Sequence, residues 1–507
     1  MSLSTVETRA LCGVESPLVR VETHLSNGLP SFTIVGLPEA AVRESRERVR
    51  CALVNSGFDF PMQRVTVNLA PADLPKEGGR FDLAIAIGIL IASGQLPPDS
   101  VAGCEFVAEL ALSGTCCAVK GVLPSLAQAE SRAHKIFVAK SDAHYRGLLE
   151  SDNIYGVNDL LELVQHLRDP KVYALDEQES NVIDHTCDYA NSGPDLGEVV
   201  GQYSAKHALE VAAAGGHNLL FYGPPGTGKS MLASRIISIL PKLSKQQAME
   251  VASLYTLTHM PRNESDWYLP PYRSPHHSSS AVALIGGGAR PKPGEVSLSH
   301  EGVLFLDELP EFSRHALEML REPLETGEIS ISRAQQQLTL LARFQLIAAM
   351  NPCPCGYLGH PSIACTDTPQ QIEQYRRKLS GPFLDRIDMH VEVPFQSARV
   401  TLRKQGNEEG SDKVRERVER ARALQTARQG CLNVHLKGEA LTEMCALTVE
   451  QNEWLMSTID SLALSNRAAH RILRLSRTLA DCSGERLIGS GHLAQALRYR
   501  PIRKAVL

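Results

Sequence analysis

The stretch that decides the fold is Gly223-Pro-Pro-Gly-Thr-Gly-Lys-Ser230, which follows the apolar segment NLLFY (218–222) and precedes MLASRIISIL (231–240). Apolar strand, glycine-rich loop and helix-compatible run form the order that a phosphate-binding P-loop requires. Glycines let backbone N–H groups close around phosphate oxygens. We therefore expect a nucleoside triphosphate here, with Lys229 on the β and γ oxygens and Ser230 as a magnesium ligand. The predicted binding residues are Gly223, Pro224, Pro225, Gly226, Thr227, Gly228, Lys229 and Ser230.

A second apolar segment, GVLFL (302–306), ends in two carboxylates, Asp307 and Glu308. An acid pair at a strand end is often only a cap, but its position after a P-loop favours a catalytic interpretation. We predict that Asp307 holds Mg²⁺. Glu308 is predicted to orient and deprotonate the water that attacks the γ-phosphate.

Two further polar residues are candidates for the same site. The apolar segment 344–350 ends at Asn351, where a strand next to the P-loop strand would meet the γ-phosphate, although Asn-Pro also favours a plain turn. Arg386 lies in the short segment LDRID (384–388). It is compatible with an arginine finger, which stabilises transition-state charge and can act in trans, or with a surface ion pair.

Length and composition predict a multidomain globular chain. With 507 residues, 43% of them hydrophobic and 21% charged, two to four domains are expected. Strands and helices alternate in the first part, a polar linker follows, the P-loop lies in a parallel α/β core, and the last part has helical periodicity. The predicted boundaries are 1–166 for the first domain, 167–198 for the linker, 199–394 for the P-loop core and 395–507 for a helical lid.

The composition of the chain also limits its expected cellular location and its binding partners. The amino terminus lacks the basic start and apolar core of a signal peptide, and the longest apolar runs, such as 83–93, are too short to span a bilayer. We therefore expect a cytoplasmic protein without a membrane partner, whose twelve cysteines are thiols or metal ligands. A net charge of -5 means that any DNA contact must come from locally placed cations.

Four motifs together resemble one family. GPPGTGKS (223–230), GVLFLDEL (302–309), LIAAMNPCPCG (346–356) and SGPFLDRID (380–388) resemble AAA+ ATPases of the magnesium-chelatase-like branch, specifically the ComM/YifB family. The resemblance covers essentially the whole chain. It implies a homo-hexameric ring ATPase that uses ATP and Mg²⁺, takes no other small-molecule substrate, and acts on single-stranded and branched DNA. The implied activity is a helicase that promotes branch migration during natural transformation and homologous recombination.

The resemblance also assigns roles to individual residues. It implies that Asn351 is the sensor-1 residue and that Arg386 is an arginine finger acting on the neighbouring subunit's ATP. The residues that match the segment on the adenine side are Val200, Gly201 and Gln202. Arg467 matches the sensor-2 position, with Arg471 as the second choice, although a solvated basic helix face is an alternative.

The first domain resembles the Lon-protease-like domain at the front of this family. A Lon-type peptidase carries a nucleophilic serine after Pro-Lys-Asp-Gly, whereas this chain has PKEGGRFD (75–82), without a hydroxyl. Because a Ser-Lys mechanism needs that oxygen, we predict a structural or DNA-contacting collar with no peptidase activity.

A cysteine-rich segment, 352–368, follows Asn351. Cys353, Cys355 and Cys365 are close enough in sequence for a tetrahedral zinc site, with Asp367 or His360 as the fourth ligand. Three reduced thiols without a metal are the alternative.

A hairpin that precedes the apolar segment 344–350 is predicted to contact DNA. Segments 329–333 and 338–343 alternate like paired strands, and such a hairpin would line the pore of a ring. The cations predicted to follow the phosphates are Arg290, Lys292, Arg333 and Arg343. His276 and His277 are compatible with strand contacts or with loop hydrogen bonds.

Two other functions share the P-loop. One is an AAA+ protein remodeller, and the other is a magnesium-chelatase motor subunit that inserts metal into a tetrapyrrole. The Lon-like first domain disfavours the second alternative.

Overall fold

The computed structural model describes residues 2–36, 40–175, 194–258, 260, 262–288, 292–332, 337–397, 408–462 and 464–500. These residues form two compact units. Unit 1 takes the described chain up to 175 together with Ser244–Trp267 and Ser332–Leu340. Unit 2 takes residues from 194 to Leu243, Tyr268–Ile331 and the chain from Leu341 onward. Each unit is therefore assembled from segments that are not contiguous in the sequence.

Unit 1 is built on a mixed seven-stranded sheet in the order β3-β4-β2-β1-β5-β8-β9. β1 and β4 pair antiparallel with β2, and the remaining pairs of this sheet are parallel. Buried side chains alternate with partly exposed ones along β2 and β4, as expected where one face covers a core. The strands of unit 1 are Ser2–Arg9 (β1), Leu18–Ser26 (β2), Ser31–Val35 (β3), Arg64–Ala70 (β4), Cys104–Val107 (β5), Glu109–Leu110 (β6), Cys116–Cys117 (β7), Lys135–Ala139 (β8) and Ile154–Val157 (β9). β6 and β7 form a separate antiparallel pair outside the seven-stranded sheet.

The helices of unit 1 cover that sheet. They are Ala40–Asn55 (α1), Asp82–Ala92 (α2), Val122–Glu130 (α3), Arg146–Leu149 (α4), Leu160–Arg168 (α5) and, from the middle of the chain, Lys245–Thr256 (α9). Every residue of α2 is buried, which explains its continuous apolar sequence without a membrane. α9 begins with a capping box of Ser244 and Gln247 and packs against α3 and α4.

Unit 2 contains the predicted parallel sheet. Its five strands are all parallel, in the order β11-β14-β17-β10-β18, so the P-loop strand β10 lies between β17 and β18. β14 and β17 are buried along their whole length, as strands covered on both faces must be. The strands are Leu219–Tyr222 (β10), Tyr272–Arg273 (β11), Val303–Leu306 (β14), Gln345–Met350 (β17) and Met389–Glu392 (β18).

Shorter strands are Gly286–Gly287 (β12), Lys292–Pro293 (β13), Glu328–Ser332 (β15) and Gln337–Leu341 (β16). β15 and β16 correspond to the two segments that sequence predicted as hairpin strands. Residues 333–336 between them, including Arg333, lie outside the described residues, as does Arg290.

The helices of unit 2 surround its sheet and continue into a helical carboxy-terminal part. They are Tyr203–Gly215 (α6), Lys229–Ser234 (α7), Ile236–Ile239 (α8), Ala281–Ile285 (α10), Glu295–Leu298 (α11), Arg314–Met319 (α12), Pro323–Thr326 (α13), Pro369–Arg376 (α14), Gly381–Leu384 (α15), Ser411–Gln429 (α16), Gly438–Met444 (α17), Val449–Ser461 (α18), Asn466–Cys482 (α19) and Ser490–Arg498 (α20). The predicted carboxy-terminal helices are confirmed as α16 and α19.

α16 and α19 pack against each other and against α6, so the carboxy-terminal helices share a core with the P-loop sheet. Buried polar contacts reinforce this packing. Arg428 on α16 forms an ion pair with Asp481 on α19 at 2.7 Å, and His217, just before β10, lies 2.7 Å from the Thr478 hydroxyl. No helix in the described ranges is long and apolar enough to cross a membrane.

Candidate active site at the P-loop

The P-loop adopts a conformation that its glycines allow. Gly226 and Gly228 have φ values of 74° and 87°, in the left-handed region that L side chains rarely adopt. Gly223 faces the edge of β18, where an added Cβ would lie 2.3 Å from the Val393 carbonyl oxygen. α7 begins directly after Gly228, so the predicted order of strand, loop and helix is confirmed.

Lys229 is buried in the loop and points towards the predicted sensor residue. Its Nζ donates to the carbonyl oxygens of Gly223 and Pro224 at 2.8 Å each, and to Asn351 Oδ1 at 3.1 Å. Burial lowers the pKa of Lys229, while the nearby Asp307 carboxylate opposes that shift. The structure thus brings together a P-loop cation and an amide from the neighbouring strand.

Ser230 and Asp307 form the predicted pair of magnesium ligands. The Ser230 hydroxyl donates to Asp307 Oδ2 at 2.5 Å, and Asp307 Oδ1 accepts from the backbone N–H of Glu308 at 2.8 Å. Hydroxyl and carboxylate oxygens are the hard donors that Mg²⁺ prefers, so these residues suit a hydrated Mg²⁺ shared with a phosphate.

Glu308 is held by a contact that sequence did not predict. Its backbone lies in the left-handed region, with φ at 50°, and its Oε2 lies 3.0 Å from Nδ1 of His277. The adjacent His276 instead contacts the Ser278 hydroxyl at 2.7 Å. Of the two histidines considered from sequence, His277 is the one that contacts the predicted catalytic acid, and its link to Glu308 depends on tertiary structure.

The segment predicted to lie on the adenine side is held by polar contacts that are buried or partly buried. Gln202 lies in the left-handed region, and its Nε2 donates to the carbonyl oxygens of Pro394, at 2.9 Å, and Thr227, at 3.4 Å. The Gly201 N–H donates to Glu408 Oε1 at 2.9 Å. This segment is thereby connected to both the P-loop and the end of the sheet.

The predicted arginine finger and the preferred sensor-2 arginine converge on one acid. Arg386 and Arg467 approach the same Oε1 of Glu325, at 2.9 and 3.2 Å. Arg386 is buried and also donates to the carbonyl oxygens of Arg321 and Pro382, whereas Arg467 is half exposed. Burial lowers the pKa of Arg386, and Glu325 opposes that shift.

Arg471, the second choice for sensor 2, has a different environment. It is nearly buried, with its Nε 3.5 Å from Asp388 Oδ1 at the start of β18. Asp388 Oδ2 accepts from the Asn218 N–H at 3.0 Å, just before β10. Arg471 therefore links α19 to the base of the sheet.

The cysteine-rich segment brings its sulfur atoms together. Cys353, Cys355 and Cys365 have Sγ–Sγ distances of 3.4 to 3.6 Å, and Asp367 Oδ2 lies 3.7 Å from Cys365 Sγ. The four ligand atoms lie within 4.8 Å of one another. His360 is outside this group, and its Nδ1 accepts from the N–H groups of Ser362 and Ile363.

Two of the predicted DNA-contacting cations are described. Lys292, in β13, is exposed. Arg343 Nε lies 2.7 Å from Glu301 Oε1, so this guanidinium already has an acidic partner. Lys292 is therefore the better candidate of the two for a phosphate contact.

In unit 1, three charged residues of PKEGGRFD, namely Lys76, Arg80 and Asp82, are buried and make structural contacts. The buried Lys76 donates to the Pro71 and Leu74 carbonyl oxygens, and the buried Arg80 donates to the Ser125 hydroxyl at 3.0 Å. Burial raises the pKa of Asp82 to about 6, although Arg48, at 2.8 Å, opposes the shift. These contacts fit a structural segment.

A parallel sheet carrying a P-loop, a carboxylate pair and a polar residue on the intervening strand defines a P-loop ATPase of the AAA+ class. Three family models match the chain: "Subunit ChlI of Mg-chelatase" over residues 21–142, "Magnesium chelatase, subunit ChlI" over 195–401 and "Magnesium chelatase, subunit ChlI C-terminal" over 408–500. The chain belongs to the ComM/YifB family of magnesium-chelatase-like AAA+ proteins.

Full-length relatives support this assignment. The chain is 48% identical to competence protein ComM of Haemophilus influenzae, over 99% of this chain and 98% of that protein. It is 45% identical to the protein YifB of Escherichia coli, over 100% and 99%. A shorter similarity, 27% over 145 residues, covers 27% of this chain and 26% of Lon protease 2 of Bacillus subtilis.

Proposed function

We propose that this chain is a ring-forming, ATP-dependent DNA motor, a helicase that promotes branch migration and strand integration during natural transformation or homologous recombination. The single observation that carries the proposal is the convergence of Lys229, Asn351, Ser230 and Asp307 at the carboxyl ends of adjacent parallel strands. The similarity to a competence protein along the whole chain supports its DNA role.

Each residue of the site has a task in hydrolysis under this proposal. Lys229 exchanges its carbonyl partners for phosphate oxygens, and Asn351 orients the γ-phosphate or the attacking water. Glu308 accepts the proton of that water, while His277 holds the Glu308 carboxylate in place. Mg²⁺, bound through Ser230 and Asp307, would neutralise charge on the β and γ phosphates.

The proposal that several subunits assemble into a ring rests on Arg386 and Arg467. Arg386 and Arg467 contact the same oxygen of Glu325 in their own chain, and we propose that Arg386 exchanges this carboxylate for a phosphate group. Under the proposal, this phosphate belongs to the ATP of a neighbouring subunit in a homo-hexamer. Hydrolysis then depends on assembly, since an arginine finger given in trans is worth about 10³ to 10⁵ in rate.

DNA is the proposed substrate of the motor, in single-stranded and branched forms. The net charge of -5 means that contact must be local, and Lys292 and the strands β15 and β16 are the proposed elements. We propose a cytoplasmic location. ATP and Mg²⁺ are the cofactors of this activity, and the sulfur cluster after Asn351 is a candidate zinc site.

Strand displacement tests the proposal directly. We expect ATP-dependent release of a labelled strand from forked and three-way DNA by the wild type. Lys229→Ala should lose ATP binding, whereas Glu308→Gln should keep ATP binding and lose turnover. Glu419→Gln, which changes an exposed carboxylate on α16, is the matched control and should behave like the wild type.

The alternatives give different results in the same assay. ATP turnover that DNA does not stimulate, with no strand movement on any branched substrate, contradicts the helicase proposal. ATP turnover stimulated by an unfolded protein would favour a remodeller instead.

A further inference from the structure

We propose that Cys353, Cys355, Cys365 and Asp367 bind one zinc ion, and that this ion fixes the segment carrying Asn351 against the P-loop. The metal site follows from the ligand atoms alone. The coupling to ATP turnover rests on the proposed function.

The ligand atoms have the spacing of a zinc tetrahedron. Thiolates about 2.3 Å from zinc stand about 3.8 Å apart, and a thiolate and a carboxylate oxygen stand about 3.6 Å apart. The three Sγ–Sγ distances are 3.4, 3.4 and 3.6 Å, and Cys365 Sγ lies 3.7 Å from Asp367 Oδ2. A disulfide bond is about 2.0 Å long, so the three sulfurs match a shared metal better than any bonded pair.

The choice of Asp367 over His360 is set by geometry. The Asp367 Oδ2 atom also accepts the Cys355 backbone N–H at 2.8 Å, a contact that orients the carboxylate towards the sulfurs. His360 Nδ1 accepts two backbone N–H groups, and its ring lies 4.5 Å from the Phe395 ring. Three thiolates and one carboxylate give a closed four-coordinate set, which is typical of a structural zinc ion.

Residues 351–368 have little secondary structure or core of their own that would hold them in place. Residues 351–368 contain no helix or strand between β17 and α14, and most of their side chains are exposed or half-buried. Cys353 is fully buried at the start, whereas Ile363 remains 45% exposed. A long irregular segment with little core of its own is stabilised when metal binding supplies folding free energy.

The same segment touches both parts of the ATP site. Cys353 is two residues from Asn351, whose Oδ1 contacts Lys229 at 3.1 Å. Gly356 packs so closely on Pro225 of the P-loop that an added Cβ would lie 2.9 Å from its Cδ. The Pro352 carbonyl accepts from Arg376 on α14 at 3.4 Å. A metal at the cluster therefore restrains the sensor residue from one side and the loop from the other.

Metal analysis of the full-length protein tests the site. We expect about one zinc per chain after purification without chelator, and cobalt substitution should give thiolate-to-cobalt charge-transfer absorption. Cys355→Ser should lose most of the metal. Cys117→Ser, which changes an exposed cysteine in unit 1, should keep it. Asp367→Cys should retain the ion with a fourth thiolate, so it reports on the ligand set even if Cys355→Ser fails to fold. Absence of zinc from the wild type, with no uptake of added zinc or cobalt, overturns the site.

ATP turnover tests the coupling. Removing zinc from the wild type, or changing Asp367 to Asn, should lower kcat about 10- to 100-fold with KM within about twofold, since a shift of about 1 Å in a positioned group has that effect. Zinc added back should restore kcat of the stripped wild type. Stoichiometric zinc with unchanged kcat after its removal overturns the coupling. An inactive zinc-loaded wild type counts against the proposed function and leaves the metal result standing.

Discussion

Arg386 and Arg467 share one carboxylate oxygen, Oε1 of Glu325, although they come from the ends of different elements, α15 and the start of α19. Arg386 is buried with two carbonyl partners, and Glu325 is its countercharge. The pair is thus held side by side by Glu325.

The first prediction concerns that countercharge. Glu325→Gln should lower the free energy of unfolding by about 1 to 2 kcal/mol, because a charged hydrogen-bond partner of a buried guanidinium is lost. In the Arg386→Ala background the same change should cost about 1 kcal/mol less, as measured by urea denaturation in a double-mutant cycle. Glu322→Gln, an exposed acid at the start of α13, is the control. Equal effects of Glu325→Gln in both backgrounds would mean that the two residues do not interact.

The second prediction separates the two adjacent histidines. His277→Ala should lower kcat for ATP hydrolysis about tenfold, because Glu308 loses the ring that lies 3.0 Å from its Oε2. Nucleotide affinity, measured by titration with a fluorescent ATP analogue, should stay unchanged. His276→Ala changes a ring that contacts the Ser278 hydroxyl and lies 4.1 Å from the His277 ring. Because the contact with Glu308 is made by His277, this variant should keep kcat near the wild-type value. A similar loss in both variants would point to a general disturbance of the segment.

The third prediction concerns stability and pH. Burial lowers the pKa of His217 to about 4 from an unfolded value of 6.5. Between these values the unfolded chain binds a proton that the folded chain does not, so stability falls as the pH drops from 6.5 to 4. The slope approaches about 1.4 kcal/mol per pH unit for this group.

His217→Gln should flatten that part of the profile, measured as the denaturation midpoint from pH 7 to pH 4. His144→Gln is the control variant, because the His144 ring makes its contact with the Ser141 carbonyl at an exposed position. Parallel profiles for the wild type and His217→Gln would contradict the assignment.

The fourth prediction concerns DNA contact. If Lys292 neutralises one phosphate, Lys292→Ala should weaken DNA binding at low salt for all sequences and reduce the slope of log K against log salt by about 0.7 to 0.9. Fluorescence anisotropy at several salt concentrations measures both. Lys413→Ala removes an exposed lysine from α16 and serves as the control. An unchanged slope for Lys292→Ala would remove this residue from the DNA surface.

Sequence predicted the central strands of the ATPase sheet well. β10, β14 and β17 are largely apolar runs, as strands buried on both faces require. β14 and β17 are followed by the polar residues Asp307 and Asn351, and β10 is followed by the glycine-rich loop. β11 was not predicted, because two residues, Tyr272 and Arg273, carry no periodicity. Sequence predicted that Asn351 follows a strand next to the P-loop strand, and β17 does pair with β10. The contact of Lys229 with Asn351 was not predicted and comes from the structure, where the carboxyl ends of these parallel strands meet.

Contacts that depend on tertiary packing could not be predicted. Glu325 stands in a polar segment like many others, and only the fold brings two arginines to it. Likewise, no local pattern links His277 to Glu308. For the cysteine cluster, spacing left Asp367 and His360 as alternatives, and the geometry distinguishes them because only the Asp367 oxygen lies among the sulfurs.

The membership of α9 in unit 1 has a consequence for how this protein can be divided. The chain leaves unit 2 after Leu243, contributes Ser244–Trp267 to unit 1 and returns at Tyr268, between the P-loop helix and the carboxylate strand. A fragment beginning at residue 194 would carry α9 without α3 and α4, exposing buried residues such as Val251 and Leu254. A cut at this point therefore separates α9 from its packing partners while leaving it inside the catalytic sequence, between the P-loop helix and β14.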